Sequence, residues 1–347
     1  MTQLAGELLA NLHAAFTSPT LRVFPIYLLV TFALGAAIHR YRKIKTPLLG
    51  WLVPRSIYLH PSHLVDLKIF LFGRIVAALG VFQVVAVASF LAAFLASLGP
   101  TISNTQQLHP LVTALLLLAV ADFSTYWVHR AHHQSRIIWP FHALHHSAEV
   151  LTPLTLYRKH PIYDLISAGV RALLLGLLQG CLLLLIGQQP TVSTIAGANL
   201  FYVLFNLTGA NLRHTHVWLS YGPLLEHVLI SPAQHQIHHS RAPQHHDRNY
   251  GEVFAIWDWM FGTLYVPREN ETIEFGLADE HGNPLPQRHV SLATALAVPV
   301  ADSLREAAGI VKRCRSAEPA HSLRPREQAG AMDCERAPGI DPRRETG

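Results

Sequence analysis

Charge is scarce in this sequence. Only 14% of its 347 residues are Asp, Glu, Lys or Arg, whereas a soluble domain carries about 25%. That deficit argues against an ordinary soluble globular chain and points to a membrane. Cysteine is nearly absent too. Cys181, Cys314 and Cys334 stand apart with no CxxC or CxxCH motif, which argues against a cysteine-held zinc site, an iron–sulfur cluster and c-type haem, and leaves no disulfide framework. Cys181 lies in an apolar run and reads as a small buried or lipid-facing residue. The net charge of +5 is no nucleic-acid footprint, because the basic residues sit beside apolar segments and in the tail, as in membrane proteins.

What the chain has instead is apolar runs. A helix needs about 20 residues to cross a bilayer. Candidate spans are residues 23–38, 69–99, 111–128, 165–186 and 191–210, the second long enough to tilt. Arg40, Arg42, Lys43 and Lys45 follow the first run, whereas residues 99–110 and 187–193 carry no charge. Positive loops stay cytoplasmic, so every histidine-rich loop falls on the cytoplasmic side. The expected fold is all-α, an integral-membrane bundle of about four to five spans with a cytoplasmic histidine-rich helical cap. Its expected parts are an N-terminal anchor helix and linker (1–68), a catalytic domain (69–266) and a largely disordered tail (267–347), with at least 316–347 too polar and low in periodicity to fold. The segment EVFAIWDWMFGTLYV, 252–266, is too interrupted to span and reads as an interfacial piece or a lid.

Histidine is the second anomaly. Fifteen of the 23 histidines lie between His129 and His246. In DFSTYWVHRAHH a continuing helix puts Asp122, Tyr126, His129 and His133 on one face, and HxxxH sets two imidazoles on one metal. His132 points elsewhere. HALHH (His142, His145, His146) and HQIHH (His235, His238, His239) each repeat i, i+3, i+4. One HxxHH is weak evidence, since a lone match is more often solvated. Two copies plus HxxxH on one membrane face point to metal. With His160 and His214 the set reaches ten, more than one ion can use, so the count fits a dinuclear centre in which the two boxes form two half-cages. Imidazole suits iron and zinc alike, but no HExxH carboxylate is present, which counts against hydrolysis. Asp122 either orients a ligand or is a plain hydrogen-bonded polar residue.

The ordered series DFSTYWVHRAHH, FHALHHSAE, LYRKHP, LRHTHVWLSYG, SPAQHQIHHS, HHDRNYG and IWDWMFGTLY resembles the fatty acid hydroxylase/sterol desaturase superfamily over about residues 111–266. The resemblance implies an integral-membrane oxygenase whose two iron ions are held by His129, His133, His142, His145, His146, His214, His235, His238 and His239. His160 and His245 also match family positions. His216 stands where relatives often carry asparagine. His227 and His246 read as solvated or structural. The implied chemistry is O2-dependent hydroxylation or desaturation of a C–H bond in a sterol-like, alkyl or fatty-acyl membrane lipid. Nothing resembles a fused cytochrome b5 domain, so electrons are expected from a separate ferredoxin, cytochrome b5 or reductase.

Two other classes compete. A divalent-metal transporter would bury its ligands near mid-bilayer in broken helices, but here only Asp122 lies inside a span. Bis-histidine haem binding needs paired histidines on facing helices rather than HxxHH boxes. The expected location is the cell inner membrane with the boxes on the cytoplasmic side.

Overall fold

The computed structural model describes residues 2–18, 21–78, 85–99, 108–187, 192–268 and 271–317. Among these the chain is all-helical, with isolated β-bridges and no strand. The elements are α1 (Thr2–Thr17), α2 (Pro25–Tyr41), α3 (Leu48–Leu52), α4 (Arg55–Tyr58), α5 (Pro61–Ala78), α6 (Val85–Ser97), α7 (Pro110–Gln134), α8 (Trp139–His146), α9 (Pro161–Leu185), α10 (Val192–Leu207), α11 (Pro232–His238), α12 (Ile256–Met260) and α13 (Leu292–Ala317).

Among the described residues two helices, α7 and α9, are long and apolar enough to cross a membrane, and shorter apolar stretches run over Ala88–Ser97 and Gly197–Leu207. Of the run expected at 69–99, α5 is described as far as Ala78 and α6 from Val85, and 79–84 lie outside the described residues.

The long helices start with the same device. His60, His109 and His160 each precede a proline, and each ring Nδ1 accepts the backbone N–H two residues on, at 3.2, 3.3 and 3.1 Å. Proline at the first helical position gives up an N–H that would have no partner anyway, and the imidazole satisfies the next one. In the apolar layer, α9 presents Ala172, Gly176 and Gly180, spaced by four, to α6. A Cβ on Gly176 would sit 2.9 Å from the Ala88 carbonyl oxygen, and one on Gly180 2.7 Å from Leu95 Cβ. Small residues at this spacing let apolar helices approach where lipid gives no hydrophobic drive. The other sides of these helices expose Leu173, Leu177, Phe90 and Phe94.

The C-terminal part departs from the expected disordered tail. Helix α13 runs to Ala317 through Pro299 and packs on α8, where buried Ala295 meets Leu144, Val65 and Ile69. The helix is amphipathic, and residues 295, 299 and 303, spaced by four, are buried on one face. The expectation of disorder beyond it falls on 318–347, outside the described residues.

Candidate metal centre

Helix α7 continues past its apolar part to Gln134, which brings His129 and His133 to one face as the spacing predicts. Helices α8 and α11 carry the two HxxHH boxes, and a 3-10 turn, Ala210–His214, delivers His214. Nine histidines meet in two adjoining groups: His129, His133, His142, His146 and His238 in one, and His145, His214, His235 and His239 in the other. Within each group one ring nitrogen per residue lies within 4.8 Å of all the others. Each box serves both groups, so the half-cage expectation needs correction. On a helix, positions i and i+4 are about 40° apart, but i+3 lies about 60° to the other side. His142 and His146 therefore go one way and His145 the other, while His235 and His239 join His145 and His238 crosses over.

The nitrogens fit a metal in distance and in protonation. Nε2 pairs stand 3.0 Å apart for His129–His142 and 3.2 Å for His142–His146, and from His214 they are 3.3, 3.1 and 3.2 Å to His145, His235 and His239. Two nitrogens each about 2.1 Å from one ion, at right angles or a little wider, are separated by about 3.0–3.3 Å. On the far side of the rings, His129 Nδ1 donates to the Tyr250 carbonyl at 2.8 Å and His238 Nδ1 to the Arg248 carbonyl at 2.7 Å. A carbonyl only accepts, so in both rings the proton sits on Nδ1 and a bare Nε2 lone pair points into the group. The Nε2 atoms of His133 and His238 are buried without a hydrogen-bond partner. Burial, reinforced by the neighbouring imidazoles, holds His142, His145, His146, His235 and His239 well below the ordinary histidine value; burial and the Arg213 guanidinium do the same for His214, and burial pulls His238 down to about 4. At neutral pH these rings are uncharged, the form in which imidazole binds a metal.

The other candidates lie elsewhere. His160 was expected among the ligands, but both its nitrogens are engaged: Nδ1 caps α9 and Nε2 donates to the Leu296 carbonyl at 3.0 Å. His216 donates to the Trp51 carbonyl at 2.7 Å, and His245 stands 3.1 Å from the Glu271 carboxylate. Asp122 orients no ligand histidine. It accepts from the Val253 and Phe254 N–H groups and the Trp257 indole N–H at 2.8, 2.9 and 2.9 Å, which pins the 252–266 segment to α7. That segment packs Trp257 and Phe261 against Phe123 and leaves Trp259 and Met260 exposed, so it covers the protein with one side and offers an interface with the other.

Sequence reasoning missed the side chains that buttress the boxes. The fully buried Arg158 of RKHP donates to the Leu144 carbonyl at 2.8 Å, to Ser147 Oγ at 3.0 Å and to Asp66 Oδ1 at 2.8 Å, locking the end of α8 to α5. Gln236 Nε2 lies 2.8–3.0 Å from the carbonyls of Leu212, Thr215 and Val217, and Ser231 and Gln234 form a reciprocal cap on α11. The only sequence cue was a polar residue inside each histidine motif. Asp66 and α13 lie outside residues 69–266, so the support of the centre extends beyond those bounds.

Two cavities flank the cluster. One, of about 160 Å³, touches His129, His142, His145, His214 and His235. The other, of about 240 Å³, touches His133, His146, His238 and Trp139.

Residues 114–263 match the fatty acid hydroxylase family. That match covers 150 of the 347 residues and, over that stretch, supports the resemblance to the fatty acid hydroxylase/sterol desaturase superfamily. The chain is similar to an alkylglycerol monooxygenase of Homo sapiens, 34% identical over 156 residues, 45% of this chain and 31% of the relative. It is similar to an ornithine lipid hydroxylase of Rhizobium tropici, 31% over 163 residues, 47% of this chain and 45% of the relative. A Delta(7)-sterol 5(6)-desaturase of Aspergillus fumigatus is 28% identical over 193 residues, 50% of this chain and 58% of the relative. The chain thus spans about a third of the length of the alkylglycerol monooxygenase. No solved structure matches it. All nine clustered histidines fall in the motifs that carry the resemblance, His214 in LRHTHVWLSYG and the other eight in the HxxxH and HxxHH boxes.

Proposed function

We propose that this chain is a membrane oxidoreductase that uses O2 to hydroxylate a C–H bond of a lipid, with two iron ions held by the nine clustered histidines. The observation that carries the reading is the pair of adjoining imidazole groups, six of the nine rings buried and the other three half-buried, opening on a cavity beside apolar helices. The relatives support it, because their names are those of lipid monooxygenases, hydroxylases and desaturases, and the matches above 30% identity favour hydroxylation. Bound iron would supply dioxygen activation. The overall reaction, R–H + O2 + 2 e⁻ + 2 H⁺ → R–OH + H2O, draws its electrons from an external ferredoxin, cytochrome b5 or reductase.

The protein's own part is to bind, orient and keep dry. The Tyr163 ring stacks on His142, centroids 4.9 Å apart and planes 14° from parallel, and walls the cavity beside the centre. Tyr250, Gly251 and Glu252 line the same cavity, and Asp122 fixes the backbone just beyond them. Such enclosure keeps water away from a reaction strong enough to oxidise it or the side chains. Apolar lipid would enter between the apolar helices. In this reading the chain crosses the inner membrane about four to five times and holds the boxes at the cytoplasmic end of α7, consistent with the charge of the loops.

The test is turnover with ¹⁸O2. Iron-loaded protein in nanodiscs, given an electron donor and a lipid extract, should put labelled oxygen into a lipid, and His145→Ala and His238→Ala should abolish it while leaving the protein in the membrane. Retained turnover in either variant, or no lipid oxidised at full iron content, refutes the proposal.

A further inference from the structure

The cavity beside the histidines has a charge that lipid hydroxylation as such does not require. Four cationic side chains line it, Arg22, Lys159, Arg171 and Arg213, against one carboxylate, Glu252. Two of the four are already committed. Arg22 lies 3.8 Å from Glu252, which also accepts the Tyr202 hydroxyl at 2.8 Å, and Arg213 donates to the carbonyls of Ile230 and Glu252. The other two are not. The Lys159 ammonium has the face of Tyr163 at 5.6 Å, and among the described residues the Arg171 guanidinium makes no hydrogen bond or ion pair. A further carboxylate, Asp164, lines a neighbouring cavity with Lys159 and Arg74 and interacts electrostatically with Lys159, Arg74 and Arg171 without a direct ion pair, so two carboxylates face five cations and the excess stays positive.

The placement is specific. Tyr163, Ser167 and Arg171 recur every four residues on α9, so they form one stripe along a helix otherwise apolar enough to span a membrane. At one end Tyr163 stacks on His142. In the middle, Ser167 Oγ is buried with no hydrogen-bond partner, though it lines the cavity. At the other end is Arg171, whose long side chain leans back toward the helix N-terminus as helical side chains do, hence toward Ser167 and Lys159. An unpaired cation on an apolar helix is costly and marks a binding site by default, and an unsatisfied buried hydroxyl beside it supplies a donor.

Resting on the reading of the site given above, we infer that the lipid taken by this cavity carries an anionic head, a carboxylate or a phosphate, bound by Arg171 and Lys159 with Ser167 Oγ donating a hydrogen bond. Guanidinium and ammonium donors to an oxyanion make the strongest of the ordinary hydrogen bonds. Neutral lipids of the same chain length lack that anchor and bind less well.

Native mass spectrometry of the full, iron-loaded chain released from nanodiscs tests this, because it counts metals and bound lipid on the same ion. The probes are oleate, oleoyl lysophosphatidate and monooleoylglycerol. The wild type should hold both anionic probes at least about tenfold more tightly than monooleoylglycerol. Arg171→Gln and Lys159→Gln should each erase most of that preference at unchanged metal count, and Arg171→Lys should restore much of it. Preference for only one anionic probe identifies the head as carboxylate or phosphate and upholds the inference. Equal binding of all three probes to the wild type, or a preference untouched in both Gln variants, overturns it. Loss of metal with the anionic preference intact counts against the iron reading alone.

Discussion

Replacing Arg158 with methionine removes a guanidinium that nothing else in the fold can substitute. Its side chain is fully buried and its ion-pair partner Asp66 equally so, with 2.8 Å between them. Two further donors hold the Leu144 carbonyl and Ser147 Oγ at the end of α8. Breaking a buried pair by removing one partner costs about 3–5 kcal/mol, because the remaining charge is stranded without water. Thr155 still donates to Asp66 at 2.6 Å, which softens the loss but does not neutralise the carboxylate. The expected destabilisation of Arg158→Met is therefore about 3 kcal/mol or more, read as a shift in SDS-induced unfolding in mixed micelles. Metal content should fall with it, since Leu144 and Ser147 flank His145 and His146. Asp66→Asn combined with Arg158→Met leaves no buried charge and should recover at least about 1 kcal/mol over Arg158→Met alone. A single variant within about 0.5 kcal/mol of wild type, a value ordinary for surface changes, refutes the buttress argument. So does a double variant no better than the single.

Three other outcomes follow from the same geometry. His160→Ala and His216→Ala should keep the full metal count by elemental analysis. His160→Ala should lose about 1 kcal/mol through the missing helix cap; loss of a metal in either variant would return that residue to the ligand set. Gly176→Val should lower stability by about 1–3 kcal/mol through overpacking against Ala88, whereas Gly169→Val on the same helix, where a Cβ meets nothing within 4 Å, should be mild. Metal-free protein should lose stability as pH falls. The unfolded chain takes up protons near the ordinary histidine value of about 6.5, while the folded rings refuse them, His238 down to about 4. The unfolded state thus binds more protons across that window, and stability declines from about pH 6.5 toward pH 4. Thermal melts that stay flat over this range would contradict the buried neutral state.

The parts of the site that depend on short periods were legible in the sequence. HxxxH and HxxHH place their rings by helical geometry alone, and the apolar run before His129 says where the apolar part of α7 ends. The crossing of His145 and His238 between groups was implicit in the 100° step per residue, yet one box viewed in isolation looks like one cage. His160 misled because RKHP lies in a histidine-rich stretch. The informative part was the His–Pro pair, repeated at His60 and His109, which caps helices. What stayed hidden depends on contacts distant in sequence. Arg158 reaches back 92 residues to Asp66, Asp122 forward 131 to Val253, and α13 forms where its Ala295 can pack on Leu144. No local pattern encodes those partners.

Whether nine histidines hold two metals is tested most directly by metal identity and stoichiometry per chain. Protein from iron-supplemented cells, measured by elemental analysis with Mössbauer spectroscopy, should carry about two metals per chain with the irons magnetically coupled. Zinc can displace iron during preparation because it often binds such sites more tightly, so the count matters as much as the element. One metal per chain, or none, would contradict the dinuclear reading.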